Sequence, residues 1–394
     1  MDLAVSTKEG CTDNNTRHIS SAEEADSYYL LFSNFEEMTI AIVQPVILAF
    51  GLIGNIGFLL TVARVPSMRT ATNFYLSNLA VADMMFLLIT IGSRIRAYVM
   101  YGLPNDMPLM GRVGCVLQMF WKYTFNFAGL ILITFISFER HMAVCHPLRH
   151  RVKRSRSRSV KLTVACWIVA MLLALLVIPS KLNFKQYCFS WNTEDPRLHE
   201  KFPGIIGQCQ GVEGLWPIQM FYVTQTVPFF FALFGNAYFY TRILLKLHQR
   251  DRHVRQRTIR TRNQVAVMLV ANGTVFFLTT NSFEVTSVIL FVQSFLTEYL
   301  IKPEHSNTLF EINRILVYTN SAVNPLVYTL TNTSYRRAFR RAFALGYWRN
   351  RRQKHSPTVT TLMTHDMYQI NRHFPSGNQT PAPAVNMPLS GDTI

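Results

Sequence analysis

Hydrophobic and polar positions in this chain alternate in long blocks. Seven apolar segments, at about 39–63, 74–99, 113–141, 160–179, 217–247, 264–296 and 309–330, are set apart by polar and mostly basic stretches. Each is long enough to cross a bilayer, which takes about 20 residues of helix, with tilt where the run is longer. A few such helices could form the core of a large soluble protein; seven in succession predict an all-α membrane protein, a seven-helix transmembrane bundle. Composition agrees, with 49% hydrophobic and 15% charged residues, too apolar for a soluble domain.

The flanks read differently. Residues 1–38 are polar and acidic, with Glu23, Glu24, Asp26, Glu36 and Glu37 among them, and they lack the basic-then-apolar pattern of a cleaved leader. They are expected to form an extracellular tail, with Asn14 of Asn14-Asn15-Thr16 as a glycosylation acceptor. After the seventh segment, Ser334–Leu345 puts Tyr335, Phe339 and Phe343 on one helical face and arginines on the other. That is the pattern of a short helix lying on a membrane surface. The bundle with this helix therefore spans 39–345, and residues 346–394, rich in Pro, Ser and Thr, are expected to form a disordered cytoplasmic tail.

Charge sets the orientation. The net charge of +17 is not laid along one face, as nucleic-acid binding requires, but lies between the apolar runs. Arg149–Lys161, Lys246–Arg262 and Arg336–Arg341 hold most of it. The positive-inside rule puts all three in the cytosol, so the N-terminus is predicted outside and the C-terminus inside. The same stretches suit anionic lipid.

Cys115, Cys188 and Cys209 then fall in an oxidising compartment. Cys209 is the preferred partner of Cys115, because Cys188 follows the fourth segment closely. Cys188 remains the alternative, and Cys11 could pair with it; spacing does not fix connectivity.

The third segment ends in Glu139-Arg140-His141. An arginine at the mouth of a membrane helix needs a partner or water, and adjacent Glu139 can supply part of that pairing. With this triplet go Gly54-Asn55 in the first segment, Leu79-Ala80-Val81-Ala82-Asp83 in the second, Cys115 opening the third, Trp167 in the fourth and Asn324-Pro325-Leu326-Val327-Tyr328 in the seventh. Each is weak alone; together, in order and one set per helix, they are specific. Over about 39–345 the chain resembles the rhodopsin-like G-protein-coupled receptors, in flavour those for neuropeptides such as thyrotropin-releasing hormone, neuromedin or FMRFamide peptides.

The resemblance implies a ligand pocket at the outer end and a coupling face at the inner end. Glu139, Arg140, Asn324, Pro325 and Tyr328 become the switch, and Val144, Pro147 and Leu148 the positions that meet a heterotrimeric G protein. Asp83, Asn320 and Asn324 match the polar cluster that holds a sodium ion in the family, although Gly129 stands where an oxygen ligand is usual. The sixth segment departs further. Thr279-Thr280-Asn281-Ser282 replaces the family's Cys-Trp-x-Pro, no proline lies between 229 and 302, and Asn236 stands where a tyrosine is expected.

Candidate ligand contacts are Arg94, Gln118, Lys122, Asn126, Glu284, Glu311 and Arg314. Gln118, Lys122 and Asn126 share one face at i, i+4 and i+8, and Lys122 repels a cationic amine, so a peptide is the expected ligand. If Lys122 pairs with Glu284, and Glu311 with Arg314 at i, i+3, the same residues hold helices together. Other classes are a receptor for a small acidic or lipid ligand, a non-coupling decoy, or a transporter; the last would carry internal repeats, which are absent. No histidine pair, HExxH or carboxylate dyad offers enzyme chemistry, and no cofactor is implied. Ser356, Thr358, Thr360, Thr361 and Thr364 would serve receptor kinases and arrestin.

Overall fold

A computed structural model describes residues 16–19, 32–100, 111–153, 156–191, 205–249 and 256–344. The Asn14 acceptor, Cys11 and the Ser356–Thr364 cluster lie outside these residues, as does the segment 345–394.

Seven long helices form the bundle: α1 (Asn34–Arg64), α2 (Ala71–Met100), α3 (Gly111–Cys145), α4 (Arg156–Val177), α5 (Trp216–Gln249), α6 (Gln256–Gln293) and α7 (Pro303–Thr331). A two-turn helix, Pro147–Lys153, joins α3 to α4, and α8 (Thr333–Phe343) follows α7. Six of the long helices are apolar enough by composition to cross a membrane. The seventh, α7, is not among them, because its inward face buries Glu311, Asn313, Asn320, Ser321 and Asn324.

The expected start of α1 at residue 39 is corrected to Asn34. Ser33 caps it: its hydroxyl accepts from the Glu36 amide while the Glu36 carboxylate accepts from the Ser33 amide, a capping box. A π-helical turn at Thr39–Val43 follows, so Glu36 is buried instead of standing in solvent as an acidic tail would. At the other limit α8 ends at Phe343, two residues short of the expected 345.

Facing outward, Ile53, Phe231, Phe234, Leu278 and Leu330 are exposed, as lipid contact requires. Inward, small residues let helices approach closely. A Cβ on Gly51 would lie 2.5 Å from Leu87 Cδ1 and 3.2 Å from Ala322 Cβ. Ala128, Ala170 and Ala174 are likewise fully buried. Deep polar side chains bond across helices: Asn55 Nδ2 donates to the Ser321 carbonyl at 3.1 Å, Trp167 Nε1 to Asn78 Oδ1 at 3.2 Å and Asn236 Nδ2 to Thr134 Oγ1 at 3.0 Å.

Beside the Cys115 end sits a sheet of order β1-β2-β3, from β1 (Thr16–Ile19), β2 (Asn183–Trp191) and β3 (Ile205–Gln210). β2 pairs parallel with β1 and antiparallel with β3, setting Phe184 opposite Cys209 and Cys188 opposite Thr16. Cys115 and Cys209 are joined by a disulfide, Cα–Cα 5.7 Å, which ties the hairpin to α3. Cys188 is disulfide-bonded too, while Cys145 and Cys166 are free.

Candidate functional site

At the Cys115 end the inward-facing charges form a network. Glu311, wholly buried on α7, accepts from Thr39 Oγ1 and Gln44 Nε2 at 2.7 Å each through Oε1. Its Oε2 accepts from Arg94 at 2.9 Å and Arg314 at 2.8 Å. Glu36 stands 3.8 Å from both arginines. Three cross-helix contacts and one within α7 meet on one carboxylate and bind α1, α2 and α7 together, so Arg94 and Glu311 are committed to the frame.

A cavity of about 50 Å³ opens beside this network, lined by Lys122, Asn126, Gln225, Thr280 and Arg314 together with Phe86, Tyr123, Phe283, Val317 and Tyr318. Of the seven residues expected to meet ligand, it gathers Lys122, Asn126 and Arg314; Gln118 is not in its lining. The alternative pairing of Lys122 with Glu284 does not form: Gln225 Nε2 donates to Glu284 Oε1 at 2.8 Å and Glu284 Oε2 is buried without a partner. The expected pairing of Glu311 with Arg314 does form.

At the opposite end a larger cavity, about 270 Å³, is lined by Glu139, Arg140, Asn73, Tyr75, His150, Arg158, Val265 and Tyr335 among others. Glu139 does not turn to its neighbour Arg140: its carboxylate lies 3.3 Å from His150 Nε2 and 3.6 Å from Arg158. Tyr335 at the start of α8 donates to Asn73 Oδ1. Burial pushes its hydroxyl pKa well up, with the nearby Arg140 charge partly offsetting this. Tyr328 is fully buried between Phe58, 5.4 Å away, and Tyr335, 6.1 Å away. Val144 is buried against Ile243 and Ala266, whereas Leu148 is 81% exposed.

The 7 transmembrane receptor (rhodopsin family) matches residues 54–328. This chain belongs to that family. It is therefore a multi-pass plasma-membrane receptor and not an enzyme. Among curated relatives, Neuromedin-U receptor 2 of Mus musculus is 26% identical over 83% of this chain and 81% of its own. The Thyrotropin-releasing hormone receptor of Gallus gallus is 26% identical over 93% and 92%. That of Homo sapiens is 29% identical over 78% of each.

In this receptor Asn324 Nδ2 donates to Asp83 Oδ2 at 2.7 Å, and Asn320 Oδ1 and Asn324 Oδ1 are buried with no hydrogen-bond partner. One carboxylate and two orphaned amide oxygens fit a monovalent cation chemically. Gly129 adds no oxygen, and a Cβ there would meet only Leu79 Cδ1 at 3.9 Å.

Sequence reasoning missed two features of α6. Ser282 Oγ donates to Asn313 Oδ1 at 2.6 Å and Asn313 Nδ2 to Thr286 Oγ1 at 3.0 Å, a polar clasp onto α7 where proline and tryptophan are absent. Further along, Tyr240 of α5 reaches Ser137 at 2.9 Å and crosses directly over Gly273. A Cβ on Gly273 would fall on the Tyr240 hydroxyl and 2.5 Å from its Cζ. Gly273→Ala is expected to force α5 and α6 apart or expel Tyr240, at about 1–3 kcal/mol. Thermal unfolding of the purified receptor checks this; Tyr240→Leu in the same chain should restore the loss, and an unchanged Gly273→Ala midpoint would show that the contact is loose. The signal in the sequence was the lone helical glycine, but only three-dimensional register pairs it with Tyr240.

Proposed function

We propose that the chain is a receptor for an extracellular peptide that activates heterotrimeric G proteins, with its N-terminus outside and its C-terminus in the cytosol. The observation that carries this reading is the pairing of two cavities within one family fold: a mainly apolar one holding the cations Lys122 and Arg314, two turns along α3 from the disulfide at Cys115, and an Arg140-lined one at the basic end. The relatives named for neuromedin U and thyrotropin-releasing hormone support the peptide class. Basic loops around the Arg140 end support the orientation.

Coupling proceeds by population shift. Peptide binding favours a state in which the end of α6 nearest Val265 moves outward and widens the Arg140 cavity, and a G protein entering that cavity favours the same state. Leu148 is already exposed to meet such a partner, and Pro147 sits beside it, while Val144 becomes available only when Ala266 withdraws. Tyr328, next to Pro325 of α7, is placed to follow that motion into the space that opens. Arrestin and receptor kinases would act on the tail, and the arginines of α8 would sit against anionic lipid.

A pooled neuropeptide library tested for G-protein dissociation in transfected cells examines this reading. The expected result is a saturable response absent from empty-vector cells. Silence across the library at normal surface expression would contradict it.

A further inference from the structure

Among the described residues, Lys122 of α3, in the lining of the small cavity, is paired with no acid. Its ammonium lies 5.3 Å from the ring centroid of adjacent Tyr123. The charged groups near enough to act on it are Arg314, Arg94 and Lys181, all of its own sign. Among the described residues, neither acid on the inner faces of α6 and α7 at this end turns to it. Glu284 accepts from Gln225 through Oε1 while its Oε2 is buried without a partner, and both oxygens of Glu311 are taken by Thr39, Gln44, Arg94 and Arg314. Among the described residues none pairs a carboxylate with Lys122.

Burying a charge without a counterion is strongly unfavourable. Surroundings of like charge add to the cost, and among the described residues no group of the receptor compensates this cation. The cavity around it also contains polar atoms left without partners, Thr280 Oγ1 and Gln225 Oε1. At about 50 Å³ it holds a few waters' worth of space, room for the end of a ligand and not for its body.

Resting on the peptide reading above, we infer that the ligand inserts a carboxylate, from its C-terminus or from an acidic side chain, between Lys122 and Arg314. Thr280 is placed to donate to the same group, and Asn126 one turn along α3 completes the polar lining. A carboxamide would supply dipoles there but leave the lysine charge uncompensated. An amine would meet the two cations of the lining, Lys122 and Arg314.

The test uses purified full-length receptor and synthetic peptides from the pooled neuropeptide library. Each peptide is made in four forms: free acid or amide at the C-terminus, and Asp and Glu side chains kept or replaced by Asn and Gln. Binding is read by thermal shift and by competition. Carboxylate forms are expected to bind at least about tenfold tighter than their neutral counterparts. The gap should collapse in Lys122→Gln and persist in Lys122→Arg. Whichever neutralised position loses affinity identifies the C-terminus or the side chain as the source. Without peptide, Lys122→Gln should unfold at a higher temperature than the parent, because an uncompensated charge has been removed. Equal binding of acid and amide forms, or an apo Lys122→Gln that is less stable, overturns the inference and leaves the peptide reading intact. Absence of binding by every form overturns both.

Discussion

Glu311→Ala is expected to destabilise the receptor by about 3–5 kcal/mol, the range for removing one member of a buried ion pair. The reason is what remains. Arg94 and Arg314 would be left facing each other with, among the described residues, only Glu36, 3.8 Å from each, to compensate them. Thr39 Oγ1 and Gln44 Nε2 would lose the acceptor they share at 2.7 Å. Since Thr39 and Gln44 belong to α1, Arg94 to α2 and Glu311 to α7, the damage is to two helix interfaces at once, α1–α7 and α2–α7. Glu311→Gln keeps an acceptor for part of the network and should lose less. Thermal unfolding of the purified receptor and its surface level in cells would both fall; an alanine variant with a parental midpoint would mean that the network is decorative.

The second large effect falls on the disulfide. Cys115→Ala opens a loop of 94 residues, and chain-entropy arguments put the stabilisation from closing one that long at about 4–5 kcal/mol. Helices that stay inserted in the bilayer retain part of their order, so this is the upper end. The β2–β3 hairpin would lose its tether to α3 beside the Lys122 cavity, and surface expression and peptide binding should fall together. Cys209→Ala should match it, and the double variant should add little, because one bond cannot be lost twice. A double variant with twice the defect would show that one of these cysteines has another role.

Much of the fold was legible because block length is a strong signal. Seven apolar runs gave seven helices, and the 309–330 segment was found even though α7 is polar enough to fall below a compositional test for spanning. Its polar residues, Glu311, Asn320 and Asn324 among them, are the ones turned inward, as polar positions on an apolar helix are expected to be. The start of α1 was misjudged for a related reason. Glu36 reads as solvated tail until Arg94 and Arg314, far along the chain, are brought within 3.8 Å of it.

The candidate site was legible by residue and only in part by partner: Glu311 pairs with Arg314 at the expected i, i+3 spacing, and other partners differ. Lys122, Asn126 and Arg314 were picked out as charged or polar positions on apolar helices, and the cavity gathers all three. Whether Glu284 faces Lys122 or Gln225 depends on the rotation of α5 and α6 about their axes, which periodicity fixes only to within a face. Likewise Glu139 was expected to attend to its neighbour Arg140, but successive helix residues point about 100° apart, and His150 and Arg158 claim it. Tyr240 over Gly273 could not be anticipated from either residue alone.

The central claim is that one conformational equilibrium links a peptide at the Lys122 end to a G protein at the Arg140 end. Linkage requires the coupling to be reciprocal, so the decisive measurement is the affinity of the peptide recovered from the library, in membranes with G protein, with and without a non-hydrolysable GTP analogue. The predicted result is a loss of roughly 5–150-fold in affinity when the nucleotide releases the G protein. Arg140→Ala should bind the peptide with one affinity under both conditions. A parental receptor whose affinity ignores the nucleotide, in membranes where a reference receptor responds, would contradict the account.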